Sequence, residues 1–491
     1  MHRWIIIIIA GLALGGCMTL GEDYQRPDPE YDIPQTYDQA RAARTGAYIP
    51  QDRWWTIFRN PDLDRIVTNV ALKNPDIHQA AARVMEARAQ MRQTQADQYP
   101  ELNLNAQASR QQQSISSLNG DRESFISETK SLSLPASFEL DLWGRLSRAT
   151  EATRADILSA EENRRTVVQS LIAETVTRFL EVRYLEQQIS ITRRLIESHR
   201  LNLELVDSRY QRGLTSILDV RQARRILAQA ESRLPSVVQA LGQTRQALAI
   251  LQGAYPVANE PDAYKAQAFQ SLPPVPVGLP SELLNRRPDV LAAEARLMSA
   301  NARVGAAKAS RLPIISLTGT LGYASDSLKD LFTPQSQLWQ VATQGLQPVF
   351  NAGKLSAAQR AAEARYQQQL ADYSKTVLNA FAEVEGALLT RQQQIERREM
   401  IIRFHAEAEA TLVIALDRYQ RGLVDYINVL DARQALFQAE LDMVESELAI
   451  YTNRVRLHRA LGGGWDNIVA AVEEPEAGIS GMLKRSREIV K

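Results

Sequence analysis

A single cysteine, Cys17, occurs among 491 residues. An internal disulfide is therefore impossible, and a thiol-based metal or redox centre lacks its partners. Histidine is almost as scarce: the five stand at positions 2, 78, 199, 405 and 458, none at metal-ligand spacing from another. No HExxH, GxSxG or glycine-rich phosphate loop is present, which removes the common metal-protease, serine-hydrolase and nucleotide-binding classes. Neither sign of charge prevails, with 57 Lys+Arg against 57 Asp+Glu. A nucleic-acid partner held by a broad positive field is thereby excluded. Beyond the N-terminus no apolar run reaches the roughly 18 residues that suggest a transmembrane helix. Proline and glycine are both missing from Ser147 to Gln211, and Ser356–Gln420 contains only Gly386. Acidic residues are plentiful but mixed with Arg and Lys on helix faces, where solvated pairing between successive turns is their ordinary role. The residues form no catalytic constellation, so the chain reads as a non-enzyme that needs no cofactor and no metal.

What is present begins with a targeting segment. His2 and Arg3 make a short positive region, Ile5–Leu14 an apolar one, and Leu14-Gly15-Gly16-Cys17 closes it. This tetrapeptide resembles a bacterial lipobox, whose cysteine is acylated and becomes the first mature residue. Met18, not Asp, follows it, which leaves such a lipoprotein free to reach the outer membrane.

The rest of the chain is written twice. RYQRGL occurs at Arg209–Leu214 and at Arg418–Leu423, an offset of 209. Gly144-Arg145-Leu146 matches Gly353-Lys354-Leu355, and Gln229-Ala230-Glu231 matches Gln438-Ala439-Glu440, at the same offset. Earlier, Pro75-Asp76 and Pro100 match Pro288-Asp289 and Pro313 at an offset of 213. Landmarks in one order at nearly one offset mean a tandem duplication of a unit of about 210 residues. The layout is a signal peptide (1–16), an N-terminal segment (17–62), a first repeat (63–252), an inter-repeat segment (253–280), a second repeat (281–461) and a C-terminal segment (462–491).

Each repeat reads helix, strand, strand, long helix, turn, helix. The first helices, expected over Leu63–Gln98 and Ser281–Arg311, end before Pro100 and Pro313, which cannot continue them. The pattern then switches to period 2: Leu102, Leu104, Ala106 and Ala108 alternate with Asn103, Asn105, Gln107 and Ser109. Leu132, Leu134, Ala136, Phe138 and Leu140 alternate with polar residues, as do Ile315, Leu317, Gly319, Leu321 and Tyr323. A fourth strand, around Leu338–Phe350, alternates poorly. These strands, about 9–11 residues long, suit a tilted bilayer crossing. Four cannot close a barrel, and open edges in lipid are costly. Three copies would supply an even, twelve-stranded set. The long helices span about 95–100 Å at about 1.5 Å per residue. Their apolar positions Val168, Ile172, Val176, Phe179, Val182, Leu185 and Ile189 keep a coiled-coil period. The remaining helices, Leu214–Gln252 and Leu423–Leu461, are about half as long.

This ensemble resembles the TolC-like outer-membrane efflux factors, within them the OprM/NodT-type lipoproteins. The likeness covers nearly the whole mature chain. It rests on Trp54-Trp55, SFELDLWGR at Ser137–Arg145, RRPDV at Arg286–Val290, LPIISLTG at Leu312–Gly319, ALGGGW at Ala460–Trp465 and the YxxGL turns. It implies a mainly α fold with a small β part, a homotrimer whose helices form an α-barrel through the periplasm. Four strands per protomer would pool into a shared 12-stranded transmembrane β-barrel. The segments outside the repeats would form an equatorial belt. The implied function is the exit duct of a tripartite efflux pump, seated in outer-membrane lipid and passively conducting drugs or other small molecules. Its implied partners are a periplasmic adaptor and an inner-membrane transporter, by the lipoprotein likeness a proton-driven one of the RND type.

The resemblance also implies site residues. Cys17 would carry the lipid. Arg209, Tyr210, Gly213 and Leu214, with Arg418, Tyr419, Gly422 and Leu423, would form the tips where the adaptor docks; the glycines would supply positive φ and close backbone approach. Asp431 would form an acidic ring at the aperture, with Ile427 a hydrophobic ring beside it. Asn428 stands where some relatives carry a second aspartate, and Val424 where they carry an arginine; Asp219 and Arg221 lie at the equivalent turn of the first repeat, where Gln222 replaces the Asp431 acid. The alternative is a non-channel periplasmic coiled-coil adaptor or scaffold lipoprotein, which two matched helix–strand–strand–helix units argue against.

Overall fold

A computed structural model describes residues 19–28, 33–34, 36–38, 53–116, 122–256, 272–273 and 280–463. The signal peptide, Cys17 and most of the three segments outside the repeats lie beyond the described residues. The chain is mostly helical with one smaller sheet. In order come α1 (Pro61–Lys73), α2 (Pro75–Ala96), β1 (Glu101–Leu102), β2 (Asn105–Ser116), β3 (Arg122–Leu140), α3 (Arg145–Gln211) and α4 (Ile217–Leu251). The second copy supplies α5 (Pro280–Leu283), α6 (Pro288–Ala309), β4 (Ile314–Ser325), β5 (Gln337–Leu346), α7 (Lys354–Gln420) and α8 (Tyr426–Ala460). The described residues form two compact units, one from the stretches 1–28, 83–161 and 292–375, the other from 29–82, 162–291 and 376–491. Each unit draws on both repeats.

The first unit holds an antiparallel sheet in the order β1-β3-β4-β5, with β2 also on β3. β1 and β2 keep one register on β3, Leu102 opposite Ala136 and Asn105 opposite Ser133. The expected single strand is interrupted between them because Pro135, opposite, has no N–H to donate; its carbonyl still accepts from Asn103 N–H at 2.9 Å. β3 runs for 19 residues, longer than expected, and pairs with β2 out to Arg122–Ser116. In the second copy the β4–β5 ladder stops at Tyr323–Gln337, and short 3-10 turns at Leu328–Asp330 and Pro334–Ser336 fill the end. The longer first hairpin accounts for the offset falling from 213 to 209 across the strands. β5 ends at Leu346, short of the expected Phe350.

At the corner between β3 and α3, the SFELDLWGR residues fix one another. Arg145 grips Glu139 through bonds of 2.7–2.9 Å, Asp141 accepts the Leu146 and Ser147 N–H groups, and Trp143 Nε1 donates to the Pro313 carbonyl at 2.8 Å. Against this corner lies the start of the described chain: Leu20 N–H donates to the Trp143 carbonyl at 3.1 Å, and Arg148 reaches the Leu20 and Gly21 carbonyls and Asp23.

The second unit is built on the predicted apolar stripe. Val168, Ile172, Val176, Phe179, Val182 and Ile189 are buried together with Leu63, Ile66, Val67 and Val70 of α1. Trp54 and Trp55 are buried in the same core, Trp54 stacked on His458 at 5.1 Å. The helix expected over Leu63–Gln98 is broken at Asn74. That residue ends α1 and accepts from the Asp76 N–H at 2.8 Å to cap α2, while its amide donates to the Leu251 carbonyl at 2.8 Å. Likewise the helix expected from Ser281 reduces to the short α5 and restarts at Pro288. Between them Arg287 is buried on Asp289 and Glu383, at 2.6 and 2.8 Å. The RRPDV arginine is thus a clamp within the core.

Candidate functional site

Each long helix ends in the shared hexapeptide. After α3, Leu214 N–H donates to the Arg209 carbonyl at 2.9 Å and Gly213 N–H to that of Tyr210 at 2.8 Å. After α7, Leu423 N–H donates to the Arg418 carbonyl at 2.9 Å and Gly422 N–H to that of Tyr419 at 3.0 Å. These paired bonds define a Schellman helix stop, whose positions run from the third-last helical residue to the second beyond the cap. The six repeated letters are the six positions of that motif. Gly213 and Gly422 have φ of +72° and +73°, the left-handed region that favours glycine. A Cβ at either would meet nothing within 4 Å, so the expected close backbone approach is corrected: the angle alone requires glycine. Leu214 and Leu423 are both exposed.

Where the next helix begins, the copies part. Ser216 caps α4, its hydroxyl accepting from the Asp219 N–H at 3.3 Å while Asp219 accepts from the Ser216 N–H at 3.1 Å. Thr215 also donates to Asp219. Burial pushes the Asp219 carboxyl up, and these hydrogen bonds outweigh it to leave the group below the usual carboxylate range. Asp219, expected at the gate, thus closes a capping box on its own helix; the Ser-x-x-Asp spacing was its signal in the sequence. In the second copy Asp425 makes no side-chain cap, and Asn428 Nδ2 donates to the Asp425 carbonyl at 3.1 Å.

Burial separates equivalent positions covered in both hairpins from those covered in only one. Val206 and Ala415, Val220 and Val429, Ala223 and Ala432 are equivalent pairs, and every member is buried. Tyr419 is 5% exposed but its equivalent Tyr210 42%; Tyr426 is 1% exposed but Ile217 50%. The buried tyrosines of the second hairpin are covered by α3. Asn202 donates to the Tyr426 hydroxyl, Arg433 donates to Ser198, and the Arg209 guanidinium lies 4.9 Å over the Tyr419 ring. Burial pushes the Tyr426 hydroxyl up to about 12 and lowers the Arg433 guanidinium. Arg418, the counterpart of Arg209, is exposed.

Beside this joint runs an open groove. Ile427, Asn428, Leu430, Asp431 and Gln434 of α8 line one wall, and His199, Arg225, Ile226 and Gln229 the other. The predicted gate residues Ile427, Asn428 and Asp431 thus share one surface, and Asp431 is exposed on it. Sequence reasoning missed the opposite wall, which no motif marks. Burial, with Arg433 and Arg233 nearby, lowers His199 to about 4, so this wall carries a neutral imidazole beside Arg225.

The sheet presents a second functional surface. Leu132, Leu134, Ala136, Phe138 and Leu140 lie opposite Tyr323, Leu321, Gly319, Leu317 and Ile315. Leu321 and Gly319 in turn lie opposite Trp339 and Val341, which are 74% and 75% exposed. One face is therefore apolar and uncovered for the nine residues from Leu132 to Leu140, within the roughly 9–11 of a tilted bilayer crossing. Beyond Leu132 the same face turns charged, where Glu128 pairs with Lys130 at 2.9 Å and Arg110 at 3.3 Å. The other face carries Ser133, Ser137, Thr318, Thr320 and Gln340. Among the described residues no helix is long and apolar enough to cross a membrane, and no group of His, Cys, Asp and Glu could hold a metal ion.

Comparison with known proteins gives a consistent result. The model of the family described as outer membrane efflux protein matches twice, at residues 66–254 and 279–463. The chain is 34% identical over 456 residues to the cation efflux system protein CusC of Escherichia coli O6:H1, covering 92% of this chain and 97% of that protein. It is 33% identical over 469 residues to the pyoverdine export outer membrane protein OpmQ of Pseudomonas putida, covering 95% and 98%. Among solved structures, the outer-membrane channel OprN superposes with a TM-score of 0.83 at 29% identity, covering 91% of this chain and 99% of that one.

Proposed function

Since the chain belongs to the outer membrane efflux protein family and is not an enzyme, we propose that it is the exit duct of a tripartite efflux pump. It conducts small molecules passively from a periplasmic adaptor and a proton-driven inner-membrane transporter to the outside. The observation that carries this reading is the uncovered apolar face of a sheet too small to close on itself. Unpaired strand edges are costly in lipid, so copies must pool their strands. β1 and β2 count as one interrupted strand, and three copies then bring twelve to a barrel whose Ser, Thr and Gln face the lumen. Acyl chains on Cys17 give the protein a second, lipid hold on the membrane.

At the other functional surface, Leu214 and Leu423 offer apolar contacts to the adaptor from two turns of one geometry. Asp431 and Ile427 form the aperture, with three carboxylates repelling one another and attracting cations. Asn428 adds no charge to that ring, and Asp219 serves its helix cap instead. The relatives named above act on unlike cargo, cations and pyoverdine. That supports a duct that leaves selection to the transporter. In planar bilayers the purified protein conducts ions as a trimer, and Asp431→Ala raises single-channel conductance and weakens block by divalent cations. A non-conducting monomer would sink the channel reading, and an unchanged Asp431→Ala channel would remove that residue from the aperture.

A further inference from the structure

Within the first unit, α3, α6 and α7 border a polar cavity of about 400 Å³. Arg296, Ser299 and Arg303 of α6 line it, with Asp156 of α3 and Arg365 and Gln368 of α7. Three guanidiniums thus share a cavity with one acid. Arg303 holds that acid at 2.7 Å, while Arg296 lies 3.5 Å from Asp372, both partly exposed. Arg365 is exposed and has no acceptor on it among the described residues. The floor gives an independent sign. Ser299 is 2% exposed, and its hydroxyl makes no hydrogen bond among the described residues. A helical serine can donate to a carbonyl one turn back, as Ser310 does to Ala306 at 2.8 Å. A buried hydroxyl without any partner is costly. Nor does the duplication write this face twice: at the offset of 213 the counterparts of Arg296, Ser299 and Arg303 are Arg83, Glu86 and Gln90. Helix packing alone therefore does not demand the arrangement.

We propose that this cavity binds an oxyanion, the phosphate or carboxylate group of a cargo molecule, from the lumen of the duct. Guanidinium forks match either group with paired hydrogen bonds, and the Ser299 hydroxyl and Gln368 amide add neutral donors. The direction of the opening follows from α6. Glu294, Asn301 and Gly305 share one side of that helix, and residues 20–26 cover them. Arg26 bonds Glu294 at 2.5 and 2.7 Å, Asn301 Nδ2 donates to the Glu22 carbonyl at 2.9 Å, and a Cβ on Gly305 would stand 2.8 Å from the Leu20 carbonyl. At about 100° per residue, Arg296, Ser299 and Arg303 fall on the opposite side. Three residues of chain reach at most about 10 Å, so Leu20 stays near a lipidated Cys17, and the side of α6 that it covers is the outer one. The cavity then opens on the inner side. This rests on the duct reading above and names a cargo class for it. Where the Asp431 ring attracts cations, this cavity selects the opposite sign.

Isothermal titration of the detergent-solubilised full chain with inorganic phosphate gives one site per chain. Arg365→Ala, which breaks no bond among the described residues, weakens binding about tenfold or more. Ser299→Ala weakens it several-fold without lowering the melting temperature, because the lost hydroxyl held nothing in the empty cavity. Arg360→Ala removes an equal charge from the exposed surface of the same helix and leaves binding unchanged. No saturable binding, or equal losses for Arg360→Ala and Arg365→Ala, would overturn the site. In planar bilayers of phosphatidylcholine, added phosphate lowers the single-channel current of the wild type and spares that of Arg365→Ala. Binding without any effect on current would overturn the lumenal placement. So would displacement of phosphate from the solubilised protein by phosphatidylglycerol, which would turn the cavity toward lipid. Phosphate binding by a protein that conducts nothing would leave the site standing and remove the duct.

Discussion

The two helix tips start from one hexapeptide and one turn geometry, yet Tyr419 and Tyr426 of the second are buried where Tyr210 and Ile217 of the first stand half exposed. Other equivalent pairs, such as Val220 and Val429, are buried in both copies. Duplication has thus preserved burial at some equivalent positions and let it diverge at others. The capping residues follow the same division: Ser216 and Asp219 form a closed box, whereas Asp425 and Asn428 do not, and Asn428 stays on the groove with Asp431.

Substitutions can break or sharpen that contrast. Tyr426→Ala removes a fully buried ring and costs about 3–5 kcal/mol, against about 1 kcal/mol or less for Ile217→Ala, read from thermal unfolding of the detergent-solubilised protein. Equal losses would mean that the tips are equivalent after all. A smaller effect comes from acid. His199 and His458 are copy-specific, their equivalents being Ala408 and Ala249. Burial, with nearby arginines, lowers them to about 4 and about 3, below the ordinary 6.5 of an unfolded chain. A depressed histidine contributes its full stability above the unfolded value and loses it as pH falls toward the folded one. Between pH 6.5 and 4.5 each costs about 2–3 kcal/mol, and His199→Ala or His458→Ala flattens the pH profile of the melting temperature.

Gly213→Ala and Gly422→Ala each cost about 1–2 kcal/mol by forcing a side chain into the left-handed region, and the two losses match because the turns do. The smallest contrast is at the caps. Ser216→Ala loses about 1 kcal/mol, while Asp425→Ala, which removes no side-chain bond, changes unfolding by a few tenths at most. Hydrogen exchange of the first amides of α4 and α8 separates the two.

Much of the fold was legible in one dimension because it depends on neighbours in sequence. The stripe from Val168 to Ile189 repeats with the helical period and is buried as a stripe. Alternation from Leu132 to Leu140 named the strand's two faces, and the glycine of each hexapeptide named its turn. The breaks were harder. Asn74 ends one helix and caps the next by accepting from the Asp76 N–H, and its amide is held by the carbonyl of Leu251, a residue far along the chain. Pro135 interrupts its neighbour's strand, not its own, which requires the register to be known.

The candidate site divides in the same way. Ile427, Asn428 and Asp431 were identified from likeness to relatives and fall on one groove, but its other wall, His199 and Arg225, carries no pattern. Asp219 stands at the equivalent turn of the first copy, where the Ser-x-x-Asp spacing hinted at a cap and its bonds to Ser216 and Thr215 show one. By itself the sequence determined the duplication, the lengths of the helices around the two turns, the strand faces and the glycine helix stops, since periodicity and backbone angle are local properties. Tertiary structure alone decided which of two equivalent residues is covered. Burial depends on what another part of the molecule brings against a side chain, and identical letters cannot record it.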